Sequence, residues 1–242
     1  AKKDKRLGEV IEKIGLIQRE VIPDMFQALV NSIIGQQIST KAQKTIWKRF
    51  TDALGEVTPE GLLAVPPATI QQLGISERKT AYILGIAEKV AGGELDLAAL
   101  TEKSDEEVCK TLSSLKGIGI WTAEMLMIFS MQRPNIMSYG DLALHRGLRM
   151  LYHHRSIDEK KFKMYHKRFT PYATIASLYL WEIAGGAIPG MRDYAPKGSK
   201  IKGTTNAFAR LRLAGSLMAP GGNKTILYIS VQQSVDIAGH KL

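Results

Sequence analysis

Four groups of residues in this chain could do chemistry. Leu115-Lys116-Gly117-Ile118-Gly119-Ile120 sets two glycines around one aliphatic residue, between two segments of helical apolar periodicity. Such a hairpin can take backbone angles that other residues avoid, and a buried Ile118 would pin it. Its amides then open at the start of the next helix, where donors lack intrahelical partners and the dipole favours an anion. The chemistry is capture of a phosphate by backbone, though Gly-x-Gly taken alone also reads as an ordinary helix–helix turn. Asp141, after Tyr139-Gly140, is a carboxylate that can stabilise a positive charge or orient a water. It is equally placed to cap the helix beginning Leu142-Ala143-Leu144, and capping would fix its position. Trp121 and Trp181 offer indole faces that stack on flat, electron-poor rings, or they are core residues. Gln37, in Gly35-Gln36-Gln37-Ile38-Ser39, stands where two helices join.

The elements that must position these groups are helical. Leu7, Val10, Ile11 and Ile14 predict one amphipathic helix, and Phe26, Leu29, Val30, Ile33 and Ile34 another. Ser39 caps a third running to about Leu54, and Ser76 caps a longer one carrying Tyr82, Ile83, Ile86 and Val90. Ser104-Asp105-Glu106-Glu107 has the form of a capping box, placing a helix at about 105–114. The apolar pattern resumes from Trp121 to Met131, and further helices fit 141–152, 159–169 and 172–184. Period-two strands are absent before residue 224, so the body reads as all-α. Thr225–Val231 is a candidate strand in a tail broken by Gly215, Pro220, Gly221 and Gly222.

Composition narrows the classes. With 242 residues and 45% hydrophobic content the chain can bury a core as one domain or two small lobes. Apolar runs are too short to cross a bilayer and the charged start is not followed by a signal-peptide stretch, so a soluble, intracellular protein without membrane partners is expected. The lone Cys109 excludes an internal disulfide and a four-cysteine zinc or iron–sulfur site. Net charge is +10, but residues 196–242 hold seven of the 33 basic residues and one of the 23 acidic ones. The first 195 residues therefore carry 26 against 22, and bulk charge alone does not argue for nucleic acid.

Taken together and in order, Ile33-Ile34-Gly35-Gln36-Gln37-Ile38-Ser39, Gly117-Ile118-Gly119-Ile120-Trp121-Thr122-Ala123, Tyr139-Gly140-Asp141 and Leu178-Tyr179-Leu180-Trp181 resemble the helix-hairpin-helix DNA glycosylase superfamily, nearest its DNA-3-methyladenine glycosylase II branch, over about residues 20–195. The resemblance implies a mainly α, two-lobed fold. Residues 25–135 would form one lobe, 1–24 plus 136–195 the second, and 196–242 an extension of unknown role. It implies Asp141 as the catalytic residue, a base pocket of Trp121, Trp181, Phe26 and Met125, and Gln37 as the wedge filling the stack after base extrusion. Lys116, Gly117, Ile118, Gly119 and Thr122 would hold a DNA phosphate, and a Na+ or K+ ion could sit on the carbonyls of Ser113, Leu115 and Ile118. Phe26 and Met125, at helical spacing, also read as core; Gln37 also reads as a helix-terminal residue satisfying backbone.

Strand-nicking relatives place a lysine two residues after the second hairpin glycine, and here that residue is Trp121. Water rather than an amine would then be the acceptor. The expected function is monofunctional, hydrolytic excision of alkylated purines such as 3-methyladenine or 7-methylguanine from double-stranded DNA, by a monomer needing no cofactor and no iron–sulfur cluster. The compartment would be the bacterial cytoplasm and nucleoid, or the nucleus. Lys116 replaces the usual proline, and Met125 and Leu142 stand where some relatives carry pocket tyrosines, leaving lesion preference open. The alternatives are a glycosylase of this fold with another target, or a non-catalytic protein that binds distorted DNA. Four histidines between His145 and His166 lie among basic residues and read as a solvated face, and Leu73-Gly74-Ile75-Ser76 faintly echoes the main hairpin.

Overall fold

The computed structural model describes residues 4–196 and 225–228. The order is α1 (Lys5–Ile14), β1 (Gln18–Val21), α2 (Met25–Gly35), α3 (Thr40–Leu54), α4 (Pro59–Leu63), α5 (Pro67–Gln72), α6 (Glu77–Ala91), a 3-10 turn (Ala99–Glu102), α7 (Asp105–Ser113), α8 (Ile120–Phe129), α9 (Leu142–Tyr152), α10 (Glu159–Phe169), α11 (Ala173–Gly185) and β2 (Thr225–Tyr228). The helix starts are chemical. Asp4, Asp24, Ser39, Thr58, Ser76, Ser104, Asp141 and Asp158 each accept a first-turn amide with a side-chain oxygen. At Ser104 the Glu107 carboxylate returns the bond, completing the capping box.

The fold is mainly α, with one correction to the reading of the body. A short strand, β1, precedes residue 224 and pairs with β2. Its four residues, Gln-Arg-Glu-Val, are too few to show an alternating pattern, and its partner lies some 200 positions away. Residues 229–231 of the expected tail strand lie outside the described residues.

The chain divides into two compact units. Among the described residues, one holds 20–132 and 225–226; the other holds 4–19, 133–196 and 227–228. The first, the hairpin unit, is built on α2 and α8, which bury Phe26, Leu29, Val30, Ile33 and Ile34 with Ala123 and Met125 through Phe129. In the second, the aspartate unit, α11 is buried along nearly its whole length and packs on α1, α9 and α10. Such an all-round apolar helix is a core element rather than an amphipathic cover. No helix among the described residues is long and apolar enough to cross a membrane.

Candidate active site

In the hairpin unit the two glycines do different jobs. Gly117 has φ +90, and a Cβ there would lie 2.5 Å from the Tyr82 ring of α6. Its bareness is required by the fold. Gly119 caps α8 at φ −90 and ψ 169 with no side-chain cap bond, and a Cβ there would meet nothing within 4 Å. Among the described residues nothing demands glycine at this exposed position, which leaves the first-turn amides of α8 open to close approach. The Ile118 amide bonds the Leu115 carbonyl at 3.0 Å, and its side chain, 4% exposed, anchors the hairpin. Lys116 is exposed, and Trp121 and Thr122 lie half-buried on the first turn of α8.

Gln37 lies at the turn between α2 and α3, exposed and left-handed at φ 61. A non-glycine residue holds that conformation only where its surroundings impose it. The preceding carbonyl, of Gln36, accepts the Lys79 ammonium at 2.7 Å, and Lys79 also bonds the Ile34 carbonyl at 2.8 Å. On the far side Ser39 caps α3. Gly35 gives way to the buried Gln43 of α3, whose amide bonds Asn31 at 3.0 Å and would lie 2.6 Å from a Cβ at position 35.

Asp141 is built into the aspartate unit by its own helix. It is 3% exposed, and its Oδ1 accepts the Ala143 amide at 2.8 Å and the Leu144 amide at 3.1 Å. Its own amide donates to the Ser138 carbonyl at 3.2 Å, so Ser138-Tyr139-Gly140-Asp141 is a β-turn delivering the carboxylate to the start of α9. His145, one turn into α9, bonds the Tyr139 carbonyl through Nε2 at 2.7 Å and clamps that turn. Burial pushes the His145 imidazole below its ordinary value despite the bond to the Tyr139 carbonyl. Further back, Thr174 of α11 donates to the Arg133 carbonyl at 2.6 Å and accepts the Ile136 amide at 2.9 Å. Ser177 donates to the Ile136 carbonyl, and His166 bonds the Asn135 carbonyl at 3.0 Å. Thr174 and Ser177 were not singled out in the sequence, where polar side chains recurring on the apolar α11 were the available signal, and His145 and His166 were read there only as part of a solvated basic face.

The aspartate unit also holds Trp181, on α11 and 4% exposed. The hairpin unit holds Gln37, the hairpin, Trp121, Phe26 and Met125. Phe26 is 5% exposed and Met125 has no exposed surface, which makes both core side chains. Three of the four histidines depart from the expected solvated face, while His153 is exposed on it. His145 and His166 satisfy backbone carbonyls, His154 bonds the Tyr165 hydroxyl at 2.7 Å, and His153 ends α9 in the left-handed region. The lysines Lys161 and Lys163 do pair with Asp158 and Glu159 on the surface. No group of three or more His, Cys, Asp or Glu among the described residues could hold a metal. A monovalent ion would depend on hairpin carbonyls. That of Leu115 keeps a second lone pair beside its bond to Ile118, whereas that of Gly117 accepts the Gln36 amide at 2.7 Å.

With this geometry in view, residues 30–171 match the model of the HhH-GPD superfamily of base excision DNA repair proteins. The chain belongs to this superfamily. Among curated relatives of the family, DNA-3-methyladenine glycosylase 1 of Schizosaccharomyces pombe is 32% identical over 65% of this chain and 71% of its own length. A DNA-3-methyladenine glycosylase of Bacillus subtilis is 28% identical over 67% of this chain; the match spans only 58% of that protein. Of solved structures, a DNA-3-methyladenine glycosidase of Bacillus halodurans superposes with a TM-score of 0.72 at 40% identity, over 79% of this chain and 90% of that one. The S. pombe 3-methyladenine DNA glycosylase in complex with abasic DNA gives 0.61 at 28% identity, over 75% and 92%.

Proposed function

We propose that this protein is a monofunctional DNA glycosylase that extrudes an alkylated purine from double-stranded DNA and hydrolyses its N-glycosidic bond. The observation that carries the reading is the Asp141 carboxylate, buried and held by two amides, at the position that the family signature gives to its aspartate. A purine alkylated on its ring is cationic and leaves as a neutral base, taking the electron pair of the glycosidic bond. Positive charge then develops on the sugar, and a preoriented carboxylate stabilises it without reorganising. Water adds to the anomeric carbon and gives up its proton, leaving an abasic site.

The other residues divide the work. Gly117, Ile118 and Gly119 hold a phosphate through backbone, with Lys116 and Thr122 beside it, and Gln37 fills the emptied stack. Trp121, half-buried, supplies an aromatic face for the cationic base, and Trp181, 4% exposed, contributes to the base pocket as a buried wall. Phe26 and Met125 support these from the core. Trp121 stands where an amine nucleophile would be needed, so the strand is not nicked. A sodium or potassium ion on the Ser113, Leu115 and Ile118 carbonyls would add positive charge under the phosphate; no chemical step requires it. The protein acts as a monomer.

The test is release of methylated bases from alkylated duplex DNA by wild type and Asp141→Asn. Asparagine caps a helix as well as aspartate does, so the fold should survive while release falls by about 100-fold or more. Activity retained in the mutant sinks the catalytic assignment. Strand nicking by wild type overturns the monofunctional one, and no release by folded wild type overturns the activity.

A further inference from the structure

We infer that Lys79 and Gln36 form a tie that couples the phosphate-binding hairpin to the Gln37 turn, so that anchoring of the backbone and insertion of the wedge occur as one event. The inference rests on the proposed roles of the hairpin and Gln37 and goes beyond them, since neither residue of the tie belongs to the motif's DNA-contacting set.

The carbonyl of Gln36 belongs to the peptide that enters Gln37, so whatever holds that carbonyl sets the plane from which Gln37 turns into its left-handed conformation. Lys79 holds it at 2.7 Å, while a second bond at 2.8 Å to the Ile34 carbonyl ties the same ammonium to the end of α2. A cation there also meets the negative end of the α2 dipole. The other half of the tie is the Gln36 side chain, whose Nε2 donates to the Gly117 carbonyl at 2.7 Å. One residue thus gives its carbonyl to α6 and its amide to the hairpin. The connection is closed by α6 itself: Tyr82, on the turn after Lys79, packs against Gly117 so closely that no Cβ fits between them. Every contact lies within the hairpin unit, and both Lys79 and Gln36 are half-buried. Burial, with Arg78 beside it, pushes the Lys79 ammonium below its ordinary value.

The chemical expectation is specific to base extrusion. A looser Gln37 turn costs most where the lesion is paired and must be forced out, and little where no partner holds it. The experiment uses the full chain and two duplexes with 7-methylguanine beside a 2-aminopurine reporter, one with cytosine opposite the lesion and one with an abasic site opposite. Reporter unstacking and base release are followed for wild type, Lys79→Met, Lys79→Arg and Gln36→Ala. Lys79→Met and Gln36→Ala should slow both signals about tenfold or more on the paired duplex, the size of losing one or two such hydrogen bonds. On the abasic-opposed duplex they should stay within about a factor of two of wild type. Lys79→Arg, which keeps a cationic donor, should recover most of the loss. Equal losses on the two duplexes, or no loss on either, overturn the tie. If Lys79→Met does not fold, Gln36→Ala decides alone, because it removes only the link to Gly117. Wild type that unstacks the reporter but releases no base refutes the glycosylase reading while the unstacking rates still decide the tie; wild type that does neither refutes both.

Discussion

Replacing Gly147 by alanine tests whether the packing of α9 on α11 sets the geometry of the site. Gly147 lies in α9, whose N-cap is Asp141, and it faces Leu180, the neighbour of Trp181 on α11. A Cβ at this position would lie 2.4 Å from the Leu180 carbonyl oxygen, and 3.0 Å from its carbonyl carbon and from its Cβ. A backbone carbonyl inside a helix cannot swing away, so the two helices must separate by roughly 1 Å to restore ordinary contact. Overpacking of this kind costs about 1–3 kcal/mol. Alanine returns up to about 1 kcal/mol of helix propensity. The net loss of up to about 2 kcal/mol should lower Tm by up to about 4–8 °C for a protein of this size. The functional effect should be larger in proportion, since a 1 Å misplacement of reacting groups can cost about 100-fold in rate. Single-turnover release of 7-methylguanine, beside thermal denaturation, reads both quantities. Gly85→Ala is the control: it lies in α6 with nothing within 4 Å of a new Cβ, and should be neutral or slightly stabilising. Unchanged Tm and unchanged rate in Gly147→Ala would refute the packing argument. A lowered Tm with wild-type rate would show that the α9–α11 distance does not govern the chemistry.

The two hairpin glycines should separate in the same pair of assays. Gly117→Ala, strained by its φ and by Tyr82, should lose about 1–3 kcal/mol of stability. Gly119→Ala should melt within about 0.5 kcal/mol of wild type yet bind duplex DNA more weakly; equal binding would deny Gly119 its role. A third prediction concerns the buried arm that ties residues after α11 to α9. Arg149, its side chain 7% exposed, bonds Asp193 at 2.7 and 2.6 Å. Burial raises the Asp193 carboxyl, but the Arg149 bonds and the Ala195 amide outweigh it and leave the group below its ordinary value. A depressed carboxyl contributes stability above its unfolded pKa of about 3.9 and loses it as pH falls through the folded value. Arg149→Met should therefore cost about 2 kcal/mol at pH 7, discounted for the partly exposed aspartate, and this deficit should shrink below about pH 4. A deficit independent of pH down to pH 2 would assign the loss to packing alone.

Much of this molecule was legible in the chain because the deciding forces are local. Caps such as Ser39, Ser76 and Ser104 act within three residues, so the starts of α3, α6 and α7 follow from sequence alone. The same holds for the hairpin and for Asp141 as an N-cap, since motif and cap share one short stretch. What depends on atoms distant in the chain was not legible. β1 exists because β2 pairs with it, and four residues carry no period of their own. Thr174 and Ser177 look like ordinary polar residues until α11 brings them to the loop that leads to Asp141.

Gly117 shows the division within a single residue. Its turn can be read from the motif, but the reason no side chain is allowed is a tyrosine on another helix. Lys79 is the stronger case: nothing near Ser76 in the sequence announces that its ammonium will hold the end of α2. Residue types and spacing determined which groups could do the chemistry and which helices carry them, because caps, periodicity and hairpins are short-range. Tertiary packing alone decided which carbonyls, rings and cations hold those groups in place, because that depends on distances no local pattern encodes.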